Sequence, residues 1–157
     1  MLQIIKAETA HHYKHTRKLF ARYADSLGFD IEFQGFSDEL AALPGAYAPP
    51  SGCILLAAIS ELFIGCVALR RIDKSTCEMK RLFVAPEHRG KGAGRALASF
   101  VIDEAQKLGY KRMRLDTVTS MQAANALYTS LGFKPIEAYC HNPLEGATFY
   151  ELHLNNA

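Results

Sequence analysis

The chain has 157 residues, of which 49% are hydrophobic and 22% are charged, and its formal net charge is +2. This length suits one domain over residues 1–157, and the composition excludes a disordered, collagen-like or low-complexity chain. The charge is too small for a nucleic-acid-binding surface, and the apolar runs are shorter than the roughly 20 residues that cross a bilayer. We therefore expect no nucleic-acid partner and no membrane partner.

Cysteine usage and the N-terminus bear on the compartment. The four cysteines, Cys53, Cys66, Cys77 and Cys140, form no Cys-x-x-Cys pair. Such a pattern in a chain of this length favours free thiols in a reducing environment. The first residues also lack a basic region followed by an apolar one, so no export signal is indicated. These features predict a cytoplasmic protein.

The first half of the chain predicts one strand, two helices and three further strands. Apolar residues recur at helical spacing before Gly28, and a second short helix has Ser37 as its N-cap and Pro44-Gly45 as its stop. Short connections between the last three strands indicate an antiparallel meander. The predicted elements are strand Leu2–Lys6, helices Thr9–Leu27 and Ser37–Leu43, and strands Cys53–Ile59, Leu62–Ile72 and Thr76–Val84.

The third strand of the meander changes its apolar phase. Cys77 and Met79 share one parity, whereas Leu82 and Val84 share the other. Because side chains alternate between the faces of a strand, one extra residue would return all four to the core side. The sequence therefore predicts a β-bulge in this strand.

The second half of the chain alternates helices and strands. The strongest helical pattern places Ala93, Leu97, Phe100, Val101, Ala105 and Leu108 on one face. The predicted elements are helix Gly92–Leu108, strand Tyr110–Val118, helix Met121–Leu131 with Ser120 as its N-cap, and strands Phe133–Ala138 and Ala147–Leu154. This order predicts an α/β (α+β) fold with a mixed sheet.

A glycine-rich segment lies between the bulged strand and the strongest helix. It consists of Arg89, Gly90, Lys91, Gly92, Ala93, Gly94 and Arg95. Glycines let the backbone approach a ligand closely, and the N–H groups of a first helical turn favour negative charge. Together with the flanking basic side chains, the segment predicts a pyrophosphate-binding loop.

The glycine-rich segment matches two common nucleotide-binding motifs poorly. A Walker A loop is excluded because Lys91 is followed by Gly92 rather than by Ser or Thr. A dinucleotide fingerprint has Arg95 in place of its third glycine, although Asp116 late in the following strand resembles the acid that binds a ribose. A dinucleotide-binding protein therefore stays open as an alternative.

Two segments resemble signatures of the GNAT superfamily of acyl-CoA-dependent N-acetyltransferases. The first runs from Glu78 to Arg95 and contains the pattern Arg89-x-x-Gly92-x-Gly94. The second, residues 126–133, has Leu-Tyr in a helix that ends in Gly-Phe. The resemblance implies a twisted sheet of about seven strands with about four helices. It also implies acetyl-CoA as the acetyl donor and a primary amine as the acceptor.

The resemblance further implies functions for particular residues. The backbone of Leu82, Phe83 and Val84 would pair with the pantetheine arm, and residues 89–95 would bind the pyrophosphate. Tyr128 would act as the general acid for the leaving thiolate. Glu78 would deprotonate the amine, although a solvated or ion-paired glutamate is an equally valid interpretation.

Other positions depart from the family pattern or are less specific. Many members carry an asparagine where this chain has Met121, and Asn125 is the candidate replacement for its pantetheine contact. Proline-containing loops are expected to form the wall of the acceptor site, with candidate residues Tyr47, His141, Asn142 and Glu145. His11 and His15 lack the further ligands of a metal site, so none is predicted.

Several points stay open at the level of sequence. The acceptor is a small-molecule or peptide amine of undetermined identity, because one fold hosts many acceptors. The chain is expected to be a monomer or a homodimer. A non-catalytic CoA-binding regulatory module is the alternative to an enzyme.

Overall fold

The chain folds around a seven-stranded sheet. The computed structural model describes residues 1–154. Its strands are β1 (Leu2–Lys6), β2 (Cys53–Ile59), β3 (Leu62–Arg71), β4 (Thr76–Val84), β5 (Arg112–Val118), β6 (Lys134–Ile136) and β7 (Ala147–His153). They lie in the order β1-β2-β3-β4-β5-β7-β6, and only β4 and β5 are parallel neighbours. The predicted meander and mixed sheet are confirmed.

Four α-helices of the described range, residues 1–154, flank the sheet, as predicted. They are α1 (Ala10–Ser26), α2 (Phe36–Ala42), α3 (Ala93–Lys107) and α4 (Gln122–Ser130), and 3₁₀ turns cover Glu32–Gln34, Gly45–Tyr47 and Pro86–His88. One apolar core lies between the sheet and α3, with Leu97 and Val101 at its centre. A second core, around Phe20 and Leu56, lies on the α1 and α2 side. Both faces of the sheet are therefore covered.

Two predicted N-caps are wrong. Ser37 lies within the first turn of α2, and its N–H and hydroxyl donate to the Glu32 carboxylate at 3.2 and 2.9 Å. The preceding 3₁₀ turn thus supplies the acceptor that a capping serine would have provided. Ser120 is one residue too early for α4, because a backbone bond from Met121 N–H to Val118 C=O makes the turn.

The predicted apolar face of α3 is also partly wrong. Phe100 is 50% exposed and Leu108 is 41% exposed, whereas Ala98 is fully buried. At 100° per residue, Phe100 falls to one side of the buried stripe, and Leu108 lies beyond the end of the helix. Small residues in the stripe let α3 pack closely on the sheet.

The predicted β-bulge in β4 is confirmed. Cys66 of β3 pairs with Phe83 and Ala68 pairs with Lys80, so β4 holds one extra residue between these pairs. Arg81 takes up the irregularity with a φ of +62°, a left-handed conformation that non-glycine residues seldom adopt. As the phase change predicted, Cys77, Met79, Leu82 and Val84 all contact the α3 side of the core.

The strands β4 and β5 separate soon after they meet. They pair only from Thr76 with Arg112 to Glu78 with Arg114. Beyond this point a cavity, not a strand, lies against the edge of β4. The sheet is therefore split at its centre, directly beside the bulge.

Two further features concern the chain as a whole. Cys53, Cys66 and Cys77 are buried free thiols and Cys140 is an exposed one. No helix within residues 1–154 is both long enough and apolar enough to span a bilayer.

Candidate active site

A long groove of about 550 Å³ runs along the end of β4 to the start of α3. Its floor includes Leu82, Phe83 and Val84, and its opposite wall is formed by the first half of α4. Ala85 N–H donates to Ile64 C=O of β3 at 2.8 Å. Because successive backbone N–H groups of a strand point to opposite edges, that of Val84 points into the split. The long groove thus offers backbone hydrogen bonds as well as apolar contacts.

The glycine-rich loop closes one end of the long groove. Gly90, Gly92 and Gly94 line it, and Gly90 and Gly92 have φ of +80° and +85°. The first helical bond of α3 runs from Ala96 N–H to Gly92 C=O at 3.0 Å, so the amides before it have no acceptor inside the helix. A cluster of N–H donors at a helix N-terminus forms an anion-binding site.

The basic side chains of this loop point in different directions. Arg89 Nε donates to Val84 C=O at 2.9 Å, and its guanidinium lies 5.8 Å from the centre of the Phe83 ring. Arg95 donates to the hydroxyl of Ser130 at the end of α4. Lys91 is exposed. The anion-binding geometry therefore comes mainly from the backbone.

A narrow split cavity of about 40 Å³ continues the long groove between β4 and β5. It shares Leu82 and Met121 with the long groove and is also lined by Tyr128 of α4. The Tyr128 ring packs against Phe133 and Tyr150, with ring centres 5.8 and 6.3 Å away. Burial raises the pKa of the Tyr128 hydroxyl, which keeps it protonated at neutral pH.

A polar pocket of about 370 Å³ lies beyond the split cavity. The two share Gln34, Lys80 and Asp116. Its lining comes from α2 and its flanking turns, from β3 to β5, and from the loop after β6. The charged residues among the lining are Asp38, Glu39, Arg70, Glu78, Lys80 and Asp116.

Glu78 is held in place by two partners. It is 1% exposed, Arg70 Nε donates to its Oε1 at 2.6 Å, and the Tyr139 hydroxyl donates to its Oε2. The ion pair follows from strand register, because Arg70 and Glu78 are directly opposite each other on β3 and β4. Glu78 is therefore an ion-paired residue that also lines the polar pocket.

Asp116 of β5 lies close to Glu78 and keeps one oxygen available. Ligand atoms of Glu78, Asp116 and Cys140 all lie within 4.8 Å of one another. Asn142 Nδ2 and the Cys140 thiol donate to the same oxygen, Oδ2 of Asp116, at 3.0 and 3.8 Å. Within residues 1–154, Asp116 forms no ion pair, and its hydrogen bonds all go to Oδ2, so Oδ1 has no protein donor.

A buried clamp connects the bulge to the wall of the polar pocket. Arg81 donates from Nε and Nη2 to the two oxygens of Glu39, each at 2.9 Å, and from Nη1 to Gln34 Oε1 at 2.7 Å. Its side chain is 2% exposed. Lys80 Nζ donates to the same Gln34 oxygen at 3.1 Å. The strained residue of β4 therefore anchors α2 and the turn before it.

Comparison with known proteins identifies the family. The sequence profile of the acetyltransferase (GNAT) family matches residues 11–133. The chain belongs to the GNAT acetyltransferase family. It is therefore an acyltransferase, as the two sequence signatures predicted.

Relatives and solved structures agree with this assignment. An N-acetyltransferase of Schizosaccharomyces pombe is 39% identical over 141 residues, which cover 88% of this chain and 86% of that protein. N-acetylaspartate synthetase of Danio rerio is 32% identical over 126 residues, covering 79% of this chain but only 42% of the synthetase. A GNAT-family acetyltransferase from Staphylococcus aureus has a TM-score of 0.81 at 20% identity, covering 99% of this chain and 100% of the other.

A neighbour that was solved with its cofactor acetyl-CoA comes from Salmonella typhimurium. Its TM-score is 0.74 at 21% identity, with 99% of this chain and 95% of that chain covered. At this level of identity the likeness shows the fold. The split seven-stranded sheet described above is therefore a GNAT fold.

The predicted site residues of this GNAT chain fall into three groups. Leu82–Val84 and most of 89–95 line the long groove, and Tyr128 lines the split cavity beside it. Glu78, Tyr47 and His141 line the polar pocket, and Asn142 supports Asp116. The remaining candidates, Asn125 and Glu145, line none of the three cavities.

Asn125 and Asp116 have positions that differ from their sequence interpretations. Asn125 Nδ2 donates to Val118 C=O at 2.9 Å, so the side chain joins α4 to the end of β5. It is Met121 that lines the long groove and the split cavity. Asp116, considered only as a ribose-binding acid, lies in the polar pocket and not beside the glycine-rich loop. The dinucleotide alternative is therefore wrong.

Lys80, Arg70 and Arg81 line these cavities but were not among the site residues predicted from the sequence. One signal was available for Lys80. Glu78 and Lys80 share a parity opposite to that of the core residues Cys77 and Met79, so both had to leave the α3 side of the sheet. The partners of Arg81 come from residues 34 and 39, and no local pattern indicates a contact over that separation.

Proposed function

We propose that this chain transfers the acetyl group of acetyl-CoA to a primary amine that enters through the polar pocket. The observation that carries the proposal is the series of three cavities that share lining residues. Leu82 and Met121 join the long groove to the split cavity, and Lys80 and Asp116 join the split cavity to the polar pocket. Two reactants that enter from opposite ends would meet beside Tyr128.

The long groove has the properties that an acyl-CoA requires. The free amides at the start of α3 suit a pyrophosphate, and the glycines leave room for it, since a Cβ added at Gly90 or Gly92 meets nothing within 4 Å. The edge of β4 at Leu82–Val84 suits an extended chain with amide groups. The exposed side chain of Lys91 adds positive charge for further phosphate groups.

The donor supplies a thioester, whose carbonyl carbon is attacked by the amine nitrogen while the carbon–sulfur bond breaks. The N–H group of Val84 is available to stabilise negative charge on the carbonyl oxygen. The Tyr128 hydroxyl donates a proton to the departing sulfur, and the raised pKa ensures that this proton is present.

The amine must lose its own proton. Asp116 and Glu78 offer two carboxylates within 4.8 Å of each other at the inner end of the polar pocket. They attract an ammonium group, and Oδ1 of Asp116 has no protein donor that competes for it. The proton of the amine passes to this carboxylate pair, directly or through water.

Thiol release and thermal stability test the proposal together. The chain is incubated with acetyl-CoA and a panel of amines, and free CoA is measured with a thiol reagent. NAD serves as a control ligand in the thermal measurement. Stabilisation by CoA and acetyl-CoA together with thiol release that depends on an amine supports the enzyme. Stabilisation without thiol release for any amine indicates the non-catalytic CoA-binding module instead.

A further inference from the structure

The side chain of Lys80 forms no ion pair with any residue in the range 1–154. It lines both the split cavity and the polar pocket, and its only hydrogen-bond partner within residues 1–154 is the neutral amide of Gln34, at 3.1 Å. Two of its three ammonium donors therefore have no protein acceptor. Burial lowers the pKa of Lys80, and the nearby carboxylates of Glu78 and Asp116 offset this only in part.

Three arginines of this face of the sheet have carboxylate partners. Arg70 pairs with Glu78, Arg81 pairs with Glu39, and Arg114 pairs with Glu151 at 2.8 Å. A partly buried charge is costly unless it has a partner. The chain could have supplied one, because Asp116 lines the same two cavities as Lys80. No ion pair within residues 1–154 joins the two, so a positive group and a negative group face the same space separately.

From this arrangement we infer that the acceptor is a free amino acid, whose carboxylate binds Lys80 while its amine binds Asp116. This inference rests on the proposed function and specifies its acceptor. An amino acid carries the two charges that Lys80 and Asp116 lack. The volume of the polar pocket, about 370 Å³, lies at the lower end of the range of about 300 to 1,000 Å³ that is typical of small-molecule sites.

Other amine classes match the pocket less well. A polyamine or a simple alkylamine would satisfy Asp116 but would leave Lys80 without an anion. A peptide N-terminus carries an amide instead of a carboxylate next to its amine, so it would also leave Lys80 without an anion. Only an acceptor with a carboxylate close to its amine satisfies both residues.

A panel of matched acceptors tests the inference. Each of a series of L-amino acids is compared with its α-carboxamide, which keeps the side chain and the amine but removes the negative charge. We expect kcat/KM for the best amino acid to exceed that of its carboxamide by at least about 10-fold, because a carboxamide leaves the Lys80 charge unpaired. An equal or greater kcat/KM for the carboxamide overturns the inference.

A variant locates the effect at Lys80. Lys80→Met keeps the length of the side chain and removes its charge, so the protein is expected to fold. It should raise KM for the amino acid by about 10-fold or more while KM for acetyl-CoA and for the carboxamide stays within about twofold. Lys134→Met, on the exposed edge strand β6, is the control and should change neither value. An unchanged KM for the amino acid in Lys80→Met refutes the assignment.

The two proposals fail in different ways. Thiol release with carboxamides or alkylamines but not with free amino acids refutes the amino-acid acceptor and leaves the acetyltransferase intact. If no acceptor releases thiol, the enzyme proposal fails. The amino-acid inference is then tested by ligand binding alone. An amino acid should then still raise the melting temperature in the presence of CoA more than its carboxamide does, and Lys80→Met should abolish the difference. The absence of that difference overturns the inference.

Discussion

The long groove and the polar pocket lie on one sheet but are constructed differently. The groove gains its binding groups mostly from backbone N–H groups of two adjoining segments, the end of β4 and the start of α3. The polar pocket gains them from side chains that α2, three strands and a distant loop bring together. A backbone site needs only a local pattern of glycines and a helix start, whereas a side-chain site depends on tertiary packing. The two regions therefore differ in how they respond to mutation.

Tyr128 lies where the two regions meet, and its replacement should have the largest effect. Tyr128→Phe removes the acidic hydroxyl and leaves the ring stacked on Phe133 and Tyr150. We expect kcat to fall by about 10²- to 10⁴-fold, the usual contribution of a general acid. CoA should still raise the melting temperature as in the unaltered protein.

Tyr150→Phe is the matched control for this variant. It removes a hydroxyl from the same aromatic cluster, but Tyr150 lines none of the three cavities. Its kcat should stay within about twofold of the original value. Equal losses in the two variants would mean that the hydroxyl of Tyr128 has no special part in the reaction.

The next largest effect is expected at the clamp that joins the regions. Arg81→Ala removes the buried guanidinium and leaves Glu39, whose side chain is 16% exposed, without its partner, which should lower the free energy of unfolding by about 3 to 5 kcal/mol. Arg22→Ala removes the exposed pair with Glu87 and should cost about 1 kcal/mol or less. Urea unfolding of both variants measures the difference. Similar losses would show that the clamp is no stronger than a surface ion pair.

The sequence predicted the long groove better than the polar pocket, because the groove is built from local backbone segments and the pocket from distant side chains. The glycine-rich loop and the bulge were predicted from patterns within short segments, and Tyr128 from the resemblance of residues 126–133 to a family signature. The structure contains the bulge, and it places the loop beside the long groove and Tyr128 in the split cavity. The partners of Glu78 could not be predicted, because Arg70 and Tyr139 reach it from a neighbouring strand and from the loop after β6. Ser37 was misassigned for the same reason, since the capping carboxylate comes from Glu32 in the preceding turn.

The reactivity of the Cys140 thiol depends on the charges of the carboxylates in the polar pocket. Partial burial and the nearby charges of Asp116 and Glu78 raise the pKa of the Cys140 thiol to about 11. The thiolate is therefore scarce at pH 8, and iodoacetamide should modify Cys140 at least about 10-fold more slowly than a free cysteine, with the rate rising towards pH 11. Asp116→Asn removes one negative charge, so it should lower the pKa and speed the reaction. An unchanged rate would mean that Asp116 does not act on the thiol.

The smallest effect is expected in the backbone-built groove. Gly92→Ala places a side chain at a φ of +85°, which costs about 1 to 2 kcal/mol for a non-glycine residue. Displacement of the loop amides should raise KM for acetyl-CoA by about 10-fold and leave KM for the acceptor unchanged. Gly109→Ala at the far end of α3, where φ is +90° and space is equally open, should lose similar stability without any change in KM. An equal rise in KM for acetyl-CoA in both variants would mean that the glycine-rich loop does not bind the donor.

The separation of β4 from β5 has a consequence for the exchange of backbone hydrogens. Strands in the middle of a sheet are normally the best protected against deuterium, because both of their edges are paired. Here β4 is the fourth of seven strands, yet it pairs with β5 over only three residue positions. The Val84 amide, which points into the split, should therefore exchange as fast as an amide on an outer strand. A ligand that pairs with this edge would slow its exchange, so the centre of the sheet would gain order when the donor binds.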